Sequence, residues 1–176
     1  IIDAIEQGTL NAEINMVISN IKNAYILERA NKHKKFNKFI SDKNIDRDEF
    51  ANILTEHFVK CNVDIILLIG FMKILSNKFC QVWKNKILNV HPSLLPKYAG
   101  GINNDVHKQV LLNNDSETGC TIHYVTEDVD SGPILIQKKC AVFKNDDIDS
   151  LKLRVQKLEG AAFIEALHMI ENQTYA

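Results

Sequence analysis

The hydrophobic positions along the chain fall into two alternating rhythms. Ile14 to Ser19 (INMVIS) and Val63 to Gly70 (VDIILLIG) are short apolar runs rich in β-branched residues, the pattern of buried strands. Elsewhere apolar residues recur every three or four positions, the spacing of a helix with one buried face. Ala24 to His33 has this spacing, and Asp46 to Lys60 places Phe50, Leu54 and Phe58 four apart. Phe36 to Ser41 is a weaker strand, Ser76 to Trp83 a short helix, and Ile87 to Val90 a short strand. A polar, Gly-containing loop then leads to a helix over Val106 to Leu112. Thr121 to Thr126 and Ile134 to Phe143 are expected as strands, joined by a loop holding Asp130, Ser131, Gly132 and Pro133. The last helix runs from about Ile148 to Ile170, with Leu151, Val155, Leu158 and Ala162 on one stripe. Ile1, Ile2 and Ile5 share one side of a short opening helix that Gly8 can end.

This alternation predicts an α/β fold: an open, mostly parallel sheet with helices on both faces. The late strand pair has no helix between its members and is a candidate antiparallel pair. No repeat, low-complexity stretch or linker interrupts the pattern, so residues 1–176 read as one domain. In such sheets ligands bind beyond the carboxyl ends of the strands. That rule points to three loops: Gly70 to Ser76, Asn89 to Asn104, and Thr126 to Gly132.

Composition narrows the class. A chain of 176 residues with 45% apolar and 24% charged residues can bury a sizeable core, which excludes a disordered protein. Lys plus Arg (21) nearly balances Asp plus Glu (22), and the net charge is -1. Such a balance gives no electrostatic reason to bind nucleic acid or an anionic membrane. The one basic cluster, Lys32 to Lys38, is too short for a nucleic-acid groove. Cys61, Cys80, Cys120 and Cys140 form no CxxC pair, which argues against a zinc ribbon and for reduced thiols in a cytoplasmic protein. The longest apolar run, Ile65 to Met72, is too short to span a bilayer. The first residues carry no cationic segment followed by an apolar one, so no secretory signal is expected there.

Two stretches carry residues suited to chemistry. The first is Asn89-Val90-His91-Pro92-Ser93-Leu94-Leu95-Pro96. Asn89 and His91 are two apart, so on extended chain they point the same way. An amide donor beside an imidazole can hold an oxyanion and move a proton. Two prolines stiffen the segment that follows. A purely structural reading stands beside this one, in which His91 closes a strand and the prolines end it. The second stretch is Val129 to Pro133 (VDSGP). Asp130 there either belongs to an ordinary turn or supplies a carboxylate that favours the protonated form of a nearby imidazole. His123, on the strand before it, is either a core histidine with its hydrogen bonds satisfied or a ligand contact. Ser93 lacks the Gly-x-Ser-x-Gly elbow, and neither GxGxxG nor GxxxxGK[ST] occurs. His91, His107 and His123 do not have ligand spacing, so no metal is expected.

The run Asn89 to Pro96 (NVHPSLLP), followed by Gly119 to Thr126 (GCTIHYVT) and Asp130 to Pro133 (DSGP), resembles the glycinamide ribonucleotide formyltransferases. Gly70 to Ser76 (GFMKILS) matches as well, and the resemblance covers nearly the whole chain in order and with similar spacing. It implies the Rossmann-like formyltransferase fold. It also implies a cytoplasmic enzyme of de novo purine synthesis that moves the formyl group of 10-formyltetrahydrofolate onto the amine of glycinamide ribonucleotide. The partners implied are these two small molecules, with no metal, nucleic acid or membrane; oligomeric state has no signal in the sequence. Asn89 and His91 would stabilise the tetrahedral oxyanion, with His91 as proton donor. Asp130 would favour the imidazolium form of His91 and help order a water that relays the proton. Met72, Lys73, Ile74 and Leu75 would line the folate pocket together with Asn89, Thr126, Glu127, Asp128, Val129 and Asp130. Arg47 falls where the family has a basic contact to the folate. His123, Gln156 and Glu159 would face the ribonucleotide, although Gln156 and Glu159 also read as an exposed pair at i and i+3.

The family opens with a strand and a Gly/Ser-rich loop that cradles the substrate phosphate, just ahead of the helix matched by Ile1 to Ile5. These residues lack both, so the first strand is expected to be missing and the front incomplete. Ala99 to Val106 (AGGINNDV) is longer than the usual family loop and resembles that of a longer-loop subgroup. Two other enzyme types share the Asn-x-His and Asp signature. Methionyl-tRNA formyltransferases usually add a C-terminal domain, and formyltetrahydrofolate hydrolases usually add an N-terminal one. The Pro92 to Pro96 run favours the ribonucleotide enzyme. A non-catalytic folate-binding relic is the alternative from a different class; the missing phosphate loop suggests it, and the retained Asn89, His91 and Asp130 argue against it.

Overall fold

The computed structural model describes residues 1–101 and 103–174, apart from the side chains of residues 103, 104, 173 and 174. Its elements are α1 (Ile2–Glu6), β1 (Val17–Ser19), α2 (Tyr25–Lys32), β2 (Asn37–Phe39), α3 (Arg47–Lys60) and β3 (Ile66–Leu68). They continue with α4 (Asn77–Val82), β4 (Ile87–His91), α5 (Asn103–Leu112), β5 (Glu117–Tyr124), β6 (Ile134–Ala141) and α6 (Ile148–Thr174). Every element expected from the pattern is present.

The helix ends follow local chemistry. Asp46 caps α3 by accepting from the N–H of Glu49 at 2.8 Å, and Ser76 caps α4 by accepting from Phe79 at 3.2 Å. Asn62, Asn85 and Asn114 follow α3, α4 and α5 in the left-handed conformation that an Asn tolerates at a helix end. Gly8 does the same after α1, at φ +70.

The strands depart from the expected single, mostly parallel sheet in three details. Among the described residues hydrogen bonding gives two sheets, a parallel β1–β2 pair and a four-stranded sheet in the order β3-β4-β5-β6. The β3–β4 pairing is parallel, as βα alternation dictates. The antiparallel part includes β4–β5 as well as the late hairpin β5–β6, because the chain leaves β4 through α5 before running back along it. The run Val63 to Gly70 shrinks to three paired residues. Ile66 is buried, whereas Ile69 is 48% exposed, because β3 pairs along one edge only and the chain then leaves the sheet.

The side-chain alternation of β4 places helices on both faces. Ile87 and Leu88 are adjacent and both fully buried, yet they join different clusters. Ile87 packs with Phe50, Leu54, Phe79 and Trp83 of the α3–α4 side. Leu88 packs with Ile122, Val155, Phe163 and Ala166 of the α6 side. Opposite projection of neighbouring residues on a strand produces this split, and each fully buried Ile or Leu contributes roughly 1.5–3 kcal/mol. On α6, Leu151, Val155 and Ala162 are fully buried and Leu158 partly, along the expected stripe. All four cysteines are free.

A buried polar knot ties the segment after β4 to the sheet. Thr121 Oγ1 donates to the Ser93 carbonyl at 2.6 Å and accepts from the Leu95 N–H at 3.0 Å. Gln137 Nε2 donates to the Leu95 carbonyl and to Thr121 Oγ1. The Ser93 hydroxyl donates to the Lys97 carbonyl, so it is committed to holding this turn. These bonds fix the chain that runs over the end of β4, where His91 sits.

Candidate active site

His91 ends β4 and is almost wholly buried. Its Nδ1 lies 3.1 Å from Asp130 Oδ2, and its Nε2 lies 2.9 Å from the Tyr98 carbonyl oxygen. Both partners are acceptors, so satisfying both contacts makes both ring nitrogens donors. Asn89, two residues earlier on β4, places its Nδ2 3.2 Å from His123 Nε2. The register pairs Asn89 with His123 across β4 and β5, which is why the side chains meet. His123 donates from Nδ1 to its neighbouring Tyr124 carbonyl at 3.0 Å, and its Nε2 also lies 3.5 Å from Asp130 Oδ1. Asn89, His91, His123 and Asp130 therefore form one connected group, with Asp130 touching each imidazole through a different oxygen.

The loop after β5 aims Asp130 at this group. Asp130 has φ +52, a left-handed conformation that Asp adopts more readily than most residues. A third donor, the Gly100 N–H, reaches Asp130 Oδ2 at 2.8 Å. Burial pushes the Asp130 carboxyl up, but hydrogen bonds from His123, His91 and Gly100 outweigh that and hold it well below the usual carboxylate range. By distance the His91 contact is the tighter of the two imidazole contacts.

A cavity of about 380 Å³ lies among α3, the loop after β3 and the start of α4. Its walls include Arg47, Phe50, Phe71, Met72, Ile74 and Leu75, and Lys73 in the same wall pairs with Asp42 at 2.9 Å. Met72 and Ile74 keep more than half of their surface exposed. The structure thus brings Arg47 together with Met72 to Leu75. Thr126, Glu127, Asp128 and Val129 do not line this cavity. Glu127 instead accepts from Gln81 of α4 at 2.7 Å, and the Asp128 carbonyl accepts from Thr126 and Ser131 within the loop. On α6, Gln156 is exposed and Glu159 half-buried, and burial raises the Glu159 carboxyl. Neither bonds to the His91–His123–Asp130 group. Of Ala99 to Val106, Ile102 and the side chains of Asn103 and Asn104 lie outside the described residues.

Among the described residues one group of potential ligand atoms lies within 4.8 Å, those of Asp3, Glu6 and His33. Arg29 pairs with both Asp3 oxygens and His33 with Glu6, so these atoms are already engaged. No helix among the described residues is long and apolar enough to cross a membrane. The roles of Tyr98, Gly100, Thr121 and Gln137 were not visible in the sequence. The Tyr98 and Gly100 contacts run through backbone atoms, and the buried Thr121–Gln137 pair forms only when β5 and β6 align.

An imidazole–carboxylate pair at the carboxyl end of a sheet strand, with an amide donor beside it, is a site suited to acyl-type transfer. Residues 1–167 match the family described as formyl transferase, and the chain belongs to that family. It is 39% identical over 160 residues to the phosphoribosylglycinamide formyltransferase of Haemophilus influenzae, covering 90% of this chain and 74% of that one. It is 41% identical over 173 residues to the trifunctional purine biosynthetic protein adenosine-3 of Chironomus tentans. That match covers 97% of this chain but only 12% of the relative, so the chain spans about an eighth of the trifunctional protein's length. The crystal structure of glycinamide ribonucleotide transformylase 1 from Symbiobacterium toebii superposes with a TM-score of 0.90 at 32% identity, covering 95% of this chain and 78% of that one.

Proposed function

We propose that this protein transfers the formyl group of 10-formyltetrahydrofolate to the amine of glycinamide ribonucleotide in purine biosynthesis. The observation that carries the reading is the buried His91–Asp130 contact at 3.1 Å, joined to Asn89 through His123. In the reaction the amine nitrogen bonds to the formyl carbon, and the bond from that carbon to the folate N10 breaks. Asn89 and His91 stabilise the oxyanion that develops between these events, with His91 as proton donor. Such donors act because the charge they meet exists only in the transition state. Asp130 holds His91 through Nδ1 and takes part in moving the proton lost by the amine to N10.

Arg47, Met72, Lys73, Ile74 and Leu75 hold the folate in this reading, with the Thr126 to Val129 loop closing from the side of α4. Gln156 and Glu159 face the ribonucleotide, whereas His123, expected there from the sequence, is buried with both ring nitrogens engaged inside the protein. The raised carboxyl of Glu159 suits a group that accepts hydrogen bonds from ribose hydroxyls. Residues 1–176 act as one formyltransferase domain in the cytoplasm.

The test is a reaction of the protein with 10-formyltetrahydrofolate and glycinamide ribonucleotide, with products separated by mass. Formylated ribonucleotide and tetrahydrofolate are expected in equal amounts. Free formate in place of the formylated amine assigns a hydrolase. Folate binding without either product assigns a non-catalytic domain.

A further inference from the structure

The contact at His91 Nε2 has its own supporting structure. Its acceptor, the Tyr98 carbonyl, belongs to a residue at φ +62, a conformation that L side chains rarely adopt. The Tyr98 phenol is satisfied in both directions. It donates to Asp115 Oδ2 at 2.8 Å and accepts from Asn113 Nδ2 at 2.8 Å. The other Asp115 oxygen accepts from Lys97 Nζ at 3.0 Å, and the Asp115 side chain is largely covered. Two residues beyond Tyr98, the Gly100 N–H donates to the same Asp130 oxygen that faces His91 Nδ1. One turn therefore presents a carbonyl to the imidazole and an N–H to the carboxylate, and the ring of Tyr98 anchors that turn at the end of α5.

We propose that Tyr98, clamped by Asn113 and Asp115, is a positioning residue that fixes the plane of the His91 ring through its own carbonyl. A ring held at Nε2 alone can rotate about its bond to Cβ, and so can one held at Nδ1 alone. Held at both, it presents Nδ1 to Asp130 at a fixed angle and keeps the plane of the ring fixed beside Asn89. The phenol touches neither His91 nor Asp130, so its influence passes entirely through the backbone of the turn. The kinetic side of this proposal rests on the formyl-transfer reading above; the ring geometry does not.

Tyr98→Phe, Asp115→Ala and Asp115→Asn test it, with thermal unfolding to establish that each variant folds. Tyr98→Phe and Asp115→Ala are expected to lower kcat about tenfold while KM stays within about twofold, since misplacement affects the transition state more than substrate binding. Asp115→Asn keeps an oxygen acceptor for the phenol and is expected to restore most of kcat. In ¹⁵N-labelled protein without substrates, the His91 Nε2–H signal is expected to be protected from exchange with water, and to broaden in Tyr98→Phe and Asp115→Ala. Unchanged kcat and an unchanged Nε2–H signal in both variants would overturn the proposal. So would an Asp115→Asn variant as impaired as Asp115→Ala, or a loss carried by KM and stability alone. If the parent protein makes no formylated product, the functional reading fails, and the His91 signals still decide whether Tyr98 holds the ring.

Discussion

At the scale of single residues, His91 and Asp130 are close enough to act as one unit. His91→Ala removes the donor at the proposed oxyanion and is expected to lower kcat by about 10²–10³. Folate affinity should change little, because the cavity walls from Arg47 to Leu75 lie on other elements. Steady-state kinetics combined with folate titration by fluorescence checks both halves; near-normal turnover rejects the role. Asp130→Asn keeps the shape but removes the charge that three donors surround. Its turnover should be severely reduced with the fold intact, and a pH–rate profile identical to that of the parent would sink the assignment. His123 is the residue whose meaning the structure changes most. Its two ring nitrogens are engaged by Tyr124, Asn89 and Asp130, so it links the amide to the carboxylate inside the protein.

At the scale of elements, the close approach of the Asp130 loop to β5 depends on Gly132. A Cβ there would lie 1.8 Å from the Tyr124 carbonyl oxygen, a backbone atom that cannot swing aside. Gly132→Ala is expected to push the loop outward, separate Asp130 from His91 and His123, and reduce activity with a smaller loss of stability. Activity equal to the parent, together with an unaltered thermal midpoint, would show that the loop tolerates the shift. Gly119 meets the same limit against Lys138, and this sets where β5 begins. The pattern started β5 at Thr121, yet the strand begins at Glu117, because a glycine that looks like a breaker is here required by close strand packing. The rest of the architecture was readable from periodicity. β4 bears Ile87 and Leu88 on opposite faces, α6 carries its stripe, and Asn89 and His91 project together. What periodicity could not contain was pairing. The link from Asn89 to His123 needs the β4–β5 register, and the hold on His91 needs a carbonyl whose placement comes from a left-handed tyrosine.

At the scale of the whole molecule, the groups that titrate abnormally predict how stability falls in acid. His107 on α5 is 1% exposed and its Nδ1 has no partner among the described residues. Burial, with a smaller contribution from the Lys152 charge on α6, lowers its pKa from 6.5 to about 4. The folded protein therefore binds this proton less readily than the unfolded chain. Stability must fall as pH drops through the unfolded value near 6.5 and level off below the folded value near 4. At about pH 5 the loss amounts to about 2 kcal/mol relative to neutral pH. Asp130 acts in a separate window. Its folded value is depressed, so its contribution is complete above the ordinary carboxylate range and is lost only at lower pH. His107→Leu removes the first titration and refills the space with an apolar side chain. Urea unfolding of the two proteins from about pH 7 to about pH 4.5 separates the effects. The parent should lose stability steadily across that range, and the variant should lose much less. Equal slopes would mean that the buried imidazole at the α5–α6 contact is not what limits the fold in mild acid.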